Sequence, residues 1–156
     1  MLRRLQRQVD YLQGRKPALI HENEANIYGE TGRQCLDIHQ SIASPKLCAA
    51  FDFANFVQAG ENPLDNWPLL KPYTAHFHVK DARASNGQIV PAGQGDGHLA
   101  EILKDACASG YRGFLSLEPH LAAHGQFAGF SGPALFQTAV DALRKLAREN
   151  SLPLAG

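Results

Sequence analysis

The sequence predicts an α/β domain with a parallel sheet. Three observations predict it. Short apolar runs begin near residues 17, 46, 74 and 113, a recurrence of roughly thirty residues with one enlarged loop, which is the size of a strand–helix–strand unit. Stretches with apolar residues at helical spacing fall between those runs. Strands that alternate with helices lie parallel in one sheet.

The elements follow in order. Leu2, Leu5, Val9 and Leu12 lie on one face of a first helix, with Arg and Gln between them, and Gly14 ends it. Pro17 to Glu22 (PALIHE) reads as the first strand. A loop containing Gly29 leads to Thr31 with Gln34 three residues on, a capping-box pattern that predicts a helix from Gly32 to about Ile42. Lys46 to Asp52 (KLCAAFD) is the second strand, and Pro-punctuated Asn62 to Leu70 holds at most a short helix. Thr74 to Asp81 (TAHFHVKD) is the third strand, followed by a long loop from Ala82 to Gly97. Leu99, Ile102, Leu103 and Ala106 mark a helix that Gly110 stops. Gly113 to Glu118 (GFLSLE) is the fourth strand. Ser131 with Pro133 opens the last helix, whose expected stripe is Phe136, Val140, Leu143 and Ala147. The tail from Ser151 to Gly156 reads as a frayed end.

Composition bounds the function. The chain has 156 residues, 15 Lys+Arg against 15 Asp+Glu, 44% hydrophobic and 19% charged residues. That is one soluble, globular domain with a core of useful size, free of linkers and low-complexity tracts. A zero net charge disfavours binding through many phosphates. No apolar run reaches the ~18 residues that span a bilayer. Met1 to Leu12 lacks the order of a secretory signal and reads as the first helix rather than a transit peptide. Cys35, Cys48 and Cys107 form neither a disulfide framework nor a C-x-x-C zinc motif, so a reducing cytoplasm is the expected compartment.

Each of the four strands ends in a side chain able to hold a metal: Glu22, Asp52, His78 and Glu118. In parallel α/β folds the chemistry sits at the carboxyl ends of the strands. Side chains alternate along a strand, so these four share one face with Ile20, Ala50, His76 and Ser116. The other face carries Leu19, Ala49, Phe51, Phe77, Val79, Leu115 and Leu117 and suits packing under helices. Any one of the four alone is an ordinary loop-entry acid or a satisfied core histidine. Four in corresponding positions of four consecutive units point to one site in a barrel interior. Three adjacent carboxylates repel and raise one another's pKa, and a divalent cation relieves that. Three oxygen donors with one imidazole favour Mn²⁺ or Mg²⁺, with Co²⁺ and Zn²⁺ as further candidates.

At these residues the chain resembles the xylose isomerase-like TIM-barrel superfamily of sugar and sugar-phosphate isomerases and epimerases, which includes hydroxypyruvate isomerase and the ketose 3-epimerases. The matching stretches are LIHENE (19–24), AAFDFANF (49–56), HFHVKDA (76–82), GQGDG (93–97) and GYRGFLSLEPH (110–120). The resemblance implies a fold: the C-terminal half of a TIM (β/α)₈ barrel, strands five to eight, with residues 1–156 forming one partial domain. A full barrel takes about 250 residues. The resemblance also implies that Glu22, Asp52, His78 and Glu118 hold the metal. Glu22 and Glu118 would then be the acid/base pair, moving a proton through a metal-stabilised enediolate. Asn55 stands where many epimerases carry a histidine and would hydrogen-bond a sugar hydroxyl. A substrate-gripping arginine known in some members is absent at the corresponding place, which holds Ala84 next to Arg83.

Other residues carry weaker expectations. Lys80 either contacts a substrate carboxylate or phosphate, or is a solvated lysine at a strand end. His76 reads as a neighbour that orients the site, and His120 as a loop histidine. His21, His39, His98 and His124 read as structural or exposed. Gly93-x-Gly95 reads as a turn. Trp67 is either a lid contact or packing for the short helix. A half barrel leaves two unpaired sheet edges, which invite association. The expected partners are therefore a small sugar or sugar phosphate and either a second copy or a complementary half barrel, not nucleic acid or a membrane. Two rival functions are a binding or scaffold half barrel without turnover and, against the charge balance, an abasic-site endonuclease relative.

Overall fold

The computed structural model describes residues 1–122 and 131–154. The elements run α1 (Leu2–Leu12), β1 (Leu19–Glu22), α2 (Gly32–Ile42), β2 (Leu47–Asp52), α3 (Phe53–Gln58), α4 (Pro63–Leu70), β3 (Thr74–Val79), β4 (Asp81–Ala82), β5 (Ile89–Val90), α5 (Leu99–Ala108), β6 (Phe114–Leu117) and α6 (Pro133–Glu149). Strands β1, β2, β3 and β6 form one parallel sheet in that order. Successive strands of this sheet are neighbours within it, with helices in each connection. This is half of a barrel. No described helix is long and apolar enough to cross a membrane.

The register fixes which side chains share a face. Glu22 pairs with Ala50, Ala50 with His76 and His76 with Phe114. One step further toward the carboxyl ends, Asp52 pairs with His78 and His78 with Ser116. The ladder then runs one residue past β6, where the Glu118 N–H donates to the Val79 carbonyl at 3.2 Å. Paired residues point the same way, so the polar strand-end side chains come to one side. The opposite face carries Phe51, Phe77 and Val79, all fully buried beneath the helices with Phe53, Phe56, Trp67, Leu99, Ile102 and Leu103.

Helix α2 has the expected bounds. Thr31 accepts from the Gln34 N–H, and the Gln34 side chain accepts from the Thr31 N–H, a complete capping box. Three features differ from the expectations. Helix α3 follows β2 with no loop, because the Asp52 side chain accepts the Asn55 N–H and caps it. The long loop after β3 contains the β4–β5 hairpin. Its return, Gly93 to Gly97, wraps the buried Asp81 carboxylate, which accepts N–H bonds from Gly93, Gly95 and Gly97, each at 2.9 Å. A Cβ at Gly95 would stand 2.4 Å from the Ala82 carbonyl oxygen, so the glycine there is required by close approach.

The third difference is α6. Gly132, not Ser131, is its N-cap residue, and the Ser131 hydroxyl instead accepts from the Leu121 N–H at 2.9 Å. Its buried residues are Ala139, Leu143, Leu146 and Ala147, while Phe136 is exposed. β6 is the edge of the sheet, so no described strand lies beyond it to cover the first turns of α6. The expectation for His124 lies outside the described residues, as do residues 155–156 of the tail.

Candidate metal centre

The four strand-end residues converge. Glu22, Asp52, His78 and Glu118 each offer one ligand atom within 4.8 Å of the others. Glu22 comes from the last position of β1, Asp52 from that of β2, His78 from the penultimate position of β3 and Glu118 from just past β6. His78 Nδ1 joins the two glutamates: Glu22 Oε1 lies 2.8 Å away and Glu118 Oε1 3.3 Å away. Asp52 is fully buried. Its Oδ1 accepts the Asn55 N–H at 2.8 Å. Its Oδ2 lies 3.1 Å from the Lys80 ammonium, a charge contact without the directionality of a hydrogen bond, so this oxygen has no hydrogen-bond donor.

The electrostatics follow from crowding and burial. Burial pushes the Asp52 carboxyl up to about 7, against the pull of Lys80. Burial also opposes ionisation of Glu22, but the hydrogen bond from His78 and the surrounding positive charges outweigh it and hold its pKa below the ordinary value. The Glu22 hydrogen bond raises His78 above the ordinary imidazole value, against burial. Burial, then the neighbouring His78, lowers His76.

The donor set fits a hard divalent cation. Three carboxylates and an imidazole are present, and one buried carboxylate oxygen lacks a donor. Ligands about 2.1 Å from an ion are at most about 4.2 Å apart, so small side-chain rotations close a 4.8 Å spread. Among the described residues this is the one group of its kind.

The remaining expected site residues separate. Lys80 is buried at 8% exposure, with its ammonium 3.1 Å from Asp52 Oδ2 and 3.8 Å from Glu118 Oε2. It is not a solvated strand-end lysine; it lies against the metal-capable group. Asn55 is buried, and its Nδ2 donates to the Asn23 carbonyl at 2.8 Å and reaches Glu22 Oε1 at 3.4 Å. His76 Nε2 bonds Ser116 Oγ at 2.8 Å and its ring packs edge-on against His78. Trp67 is packing: it is buried in the aromatic core and donates to Asp105 Oδ2 at 2.6 Å. His39 stacks on Tyr73, and His21 packs edge-on against His39. His98 is the left-handed N-cap residue of α5. Sequence reasoning missed Asn23, whose only signal was its place immediately after a strand-end acid.

A family model, the xylose isomerase-like TIM barrel, matches residues 1–146. The chain belongs to that family. Solved structures agree on the fold. A xylose isomerase-like TIM barrel protein from Mycobacterium smegmatis in complex with magnesium is 17% identical, with TM-score 0.71 over 97% of this chain and 50% of that one. A D-psicose 3-epimerase in the presence of D-fructose is 18% identical, with TM-score 0.72 over 96% and 55%. The probable 3-DHS dehydratase from Bacillus anthracis, involved in petrobactin synthesis, is 17% identical, with TM-score 0.69 over 92% and 55%. The chain thus spans about half the length of the solved structures it matches. No curated protein matches it in sequence.

Proposed function

We propose that the chain carries the metal-binding, proton-transferring half of a sugar or sugar-phosphate isomerase or epimerase. The convergence of Glu22, Asp52, His78 and Glu118 carries this reading, and membership of a family that includes epimerases supports it. Mn²⁺ or Mg²⁺ suits the donors best. When bound, the cation would supply Lewis acidity that acidifies a C–H next to a ketone.

The chain's own residues do the rest. Glu22 and Glu118 approach the same His78 nitrogen from two strands, so they can flank a bound substrate. One, ionised, takes the carbon-bound proton; the other, protonated, returns one to the opposite face or the neighbouring carbon. Asp52 and His78 hold the cation. Lys80 adds fixed positive charge beside Asp52 and Glu118, where it can meet a substrate oxygen anion. Asn55 is the proposed contact for a sugar hydroxyl.

The test is proton exchange. The Mn²⁺-loaded chain, incubated with simple ketoses in D₂O, is expected to exchange the proton next to the carbonyl, read by NMR. Glu118→Gln should abolish it. Exchange equal to that of free Mn²⁺ would defeat the catalytic reading.

A second reading is favoured by the open inner face. Ile20 is 47% and Phe114 77% exposed there, although in a closed barrel these positions point inward. A half barrel that binds metal and ligand without turnover would look the same. Closure by a second copy or by a complementary half is part of the proposal. Sedimentation of a stable monomer that binds Mn²⁺ without exchanging ketose protons would favour the binding reading.

A further inference from the structure

The ends of β1 and β2 are joined by a side chain rather than by backbone. The last backbone pair between them is Glu22 with Ala50. β2 continues to Asp52, and β1 does not accompany it. Asn23 fills the gap. Its Oδ1 accepts the Asp52 N–H at 2.9 Å, and its Nδ2 donates to the Asp52 carbonyl at 3.0 Å. The carboxamide thus presents the same donor and acceptor as a peptide unit and extends the ladder past its end. Asn23 is 1% exposed.

The bonds then close a ring. Asp52 Oδ1 accepts from the Asn55 N–H at 2.8 Å. Asn55 Nδ2 donates to the Asn23 main-chain carbonyl at 2.8 Å and reaches Glu22 Oε1 at 3.4 Å. The Asn23 carboxamide therefore fixes the Asp52 main chain, Asn55 bridges the Asp52 and Glu22 carboxylates, and Asp52 Oδ2 is left without a hydrogen bond. Only Asn supplies this. Asp lacks the donor, Ser offers a single hydroxyl, and Gln is one methylene too long for both bonds to stay short.

We infer that Asn23 is a positioning residue whose carboxamide clamps the end of β2 to the end of β1, and so holds Asp52 and the adjoining Glu22 in the arrangement that receives the cation. The inference rests on the metal-site reading above. Residues that orient metal ligands typically change affinity by about 10–100-fold when removed, and that is the expected loss.

The experiment titrates Mn²⁺ by electron paramagnetic resonance into the wild-type chain, Asn23→Ala, Asn23→Ser and Val9→Ala. Val9 is fully buried in the separate cluster under α1 and α2, so its truncation destabilises without touching the site. Urea melts calibrate the four proteins. A second readout needs no metal: the ¹⁵N shift of His78 Nδ1, which reports its bond to Glu22 Oε1. Asn23→Ala should bind Mn²⁺ at least about tenfold more weakly and shift the metal-free His78 signal, with Asn23→Ser between it and wild type. Val9→Ala should do neither. If Asn23→Ala does not fold, Asn23→Ser carries the same comparison. Mn²⁺ affinity within twofold of wild type, with an unmoved His78 signal, overturns the proposal. If wild type itself binds no Mn²⁺, the metal-site reading fails, and the metal-free His78 signal still decides whether Asn23 positions the pair.

Discussion

The two faces of the sheet are built from the same strands but on opposite terms. The helix-covered face is a closed aromatic core, in which Phe51 meets Phe53, Phe56, Trp67 and Phe77 with ring centroids 5.0–5.9 Å apart. The other face gathers three carboxylates, a lysine and two histidines near its carboxyl end and leaves Ile20 and Phe114 open lower down. A two-residue alternation separates them, so one residue of slippage would exchange core for chemistry. The lesson is that stability and the candidate site are encoded side by side. Among the described residues, the first is covered by helices and the second lies open.

Truncating the core should give the largest effect. Phe51→Ala is expected to cost about 3–5 kcal/mol in urea unfolding, and a loss under ~1 kcal/mol would mean the helix-covered face is not the main core. Acid tests the same layer. His39 lies buried between α2 and the sheet, stacked on Tyr73 at 4.8 Å, and burial, then nearby His21, pushes it down to about 4. Above the ordinary value of 6.5 the group is neutral folded or unfolded and contributes nothing. As pH falls from there, the unfolded chain takes up a proton that the folded chain refuses. Stability should drop as pH falls through this window and level off near the folded value, a loss on the order of a few kcal/mol in all. His39→Phe should flatten that limb, and an unchanged pH profile would contradict it.

Smaller changes sharpen the contrast. Thr31→Ala removes one half of the α2 capping box and should lower stability by about 1 kcal/mol, read in thermal melts. On the open face, Phe114→Ser should change stability by no more than ~0.5 kcal/mol while the chain is monomeric. A core-sized loss that depends on protein concentration would show that the open face is covered by another copy in solution.

Much of this was legible in the sequence. The strand-end acids and His78 were readable because alternation and repeat position are local. Thr31 and Gln34 marked the start of α2 for the same reason. Helix α3 was hidden because Asp52 serves as both strand end and helix cap, so the apolar stretch around it carries two periods at once. The α6 stripe was displaced because burial there depends on which strand is the edge, not on spacing. Lys80 resisted reading because a lysine is buried only where carboxylates meet it, and those come from two other strands. The Asn23 clamp is wholly tertiary: nothing in its neighbours says that its amide replaces a missing strand.

The assignment of Glu22, Asp52, His78 and Glu118 as one metal centre is tested most directly by metal analysis of the purified chain beside Glu118→Gln and His78→Ala, each confirmed folded. The wild type should retain close to one equivalent of Mn²⁺ after gel filtration, and both variants should lose it. Equal, negligible metal in all three proteins would contradict the centre and with it the proposed chemistry.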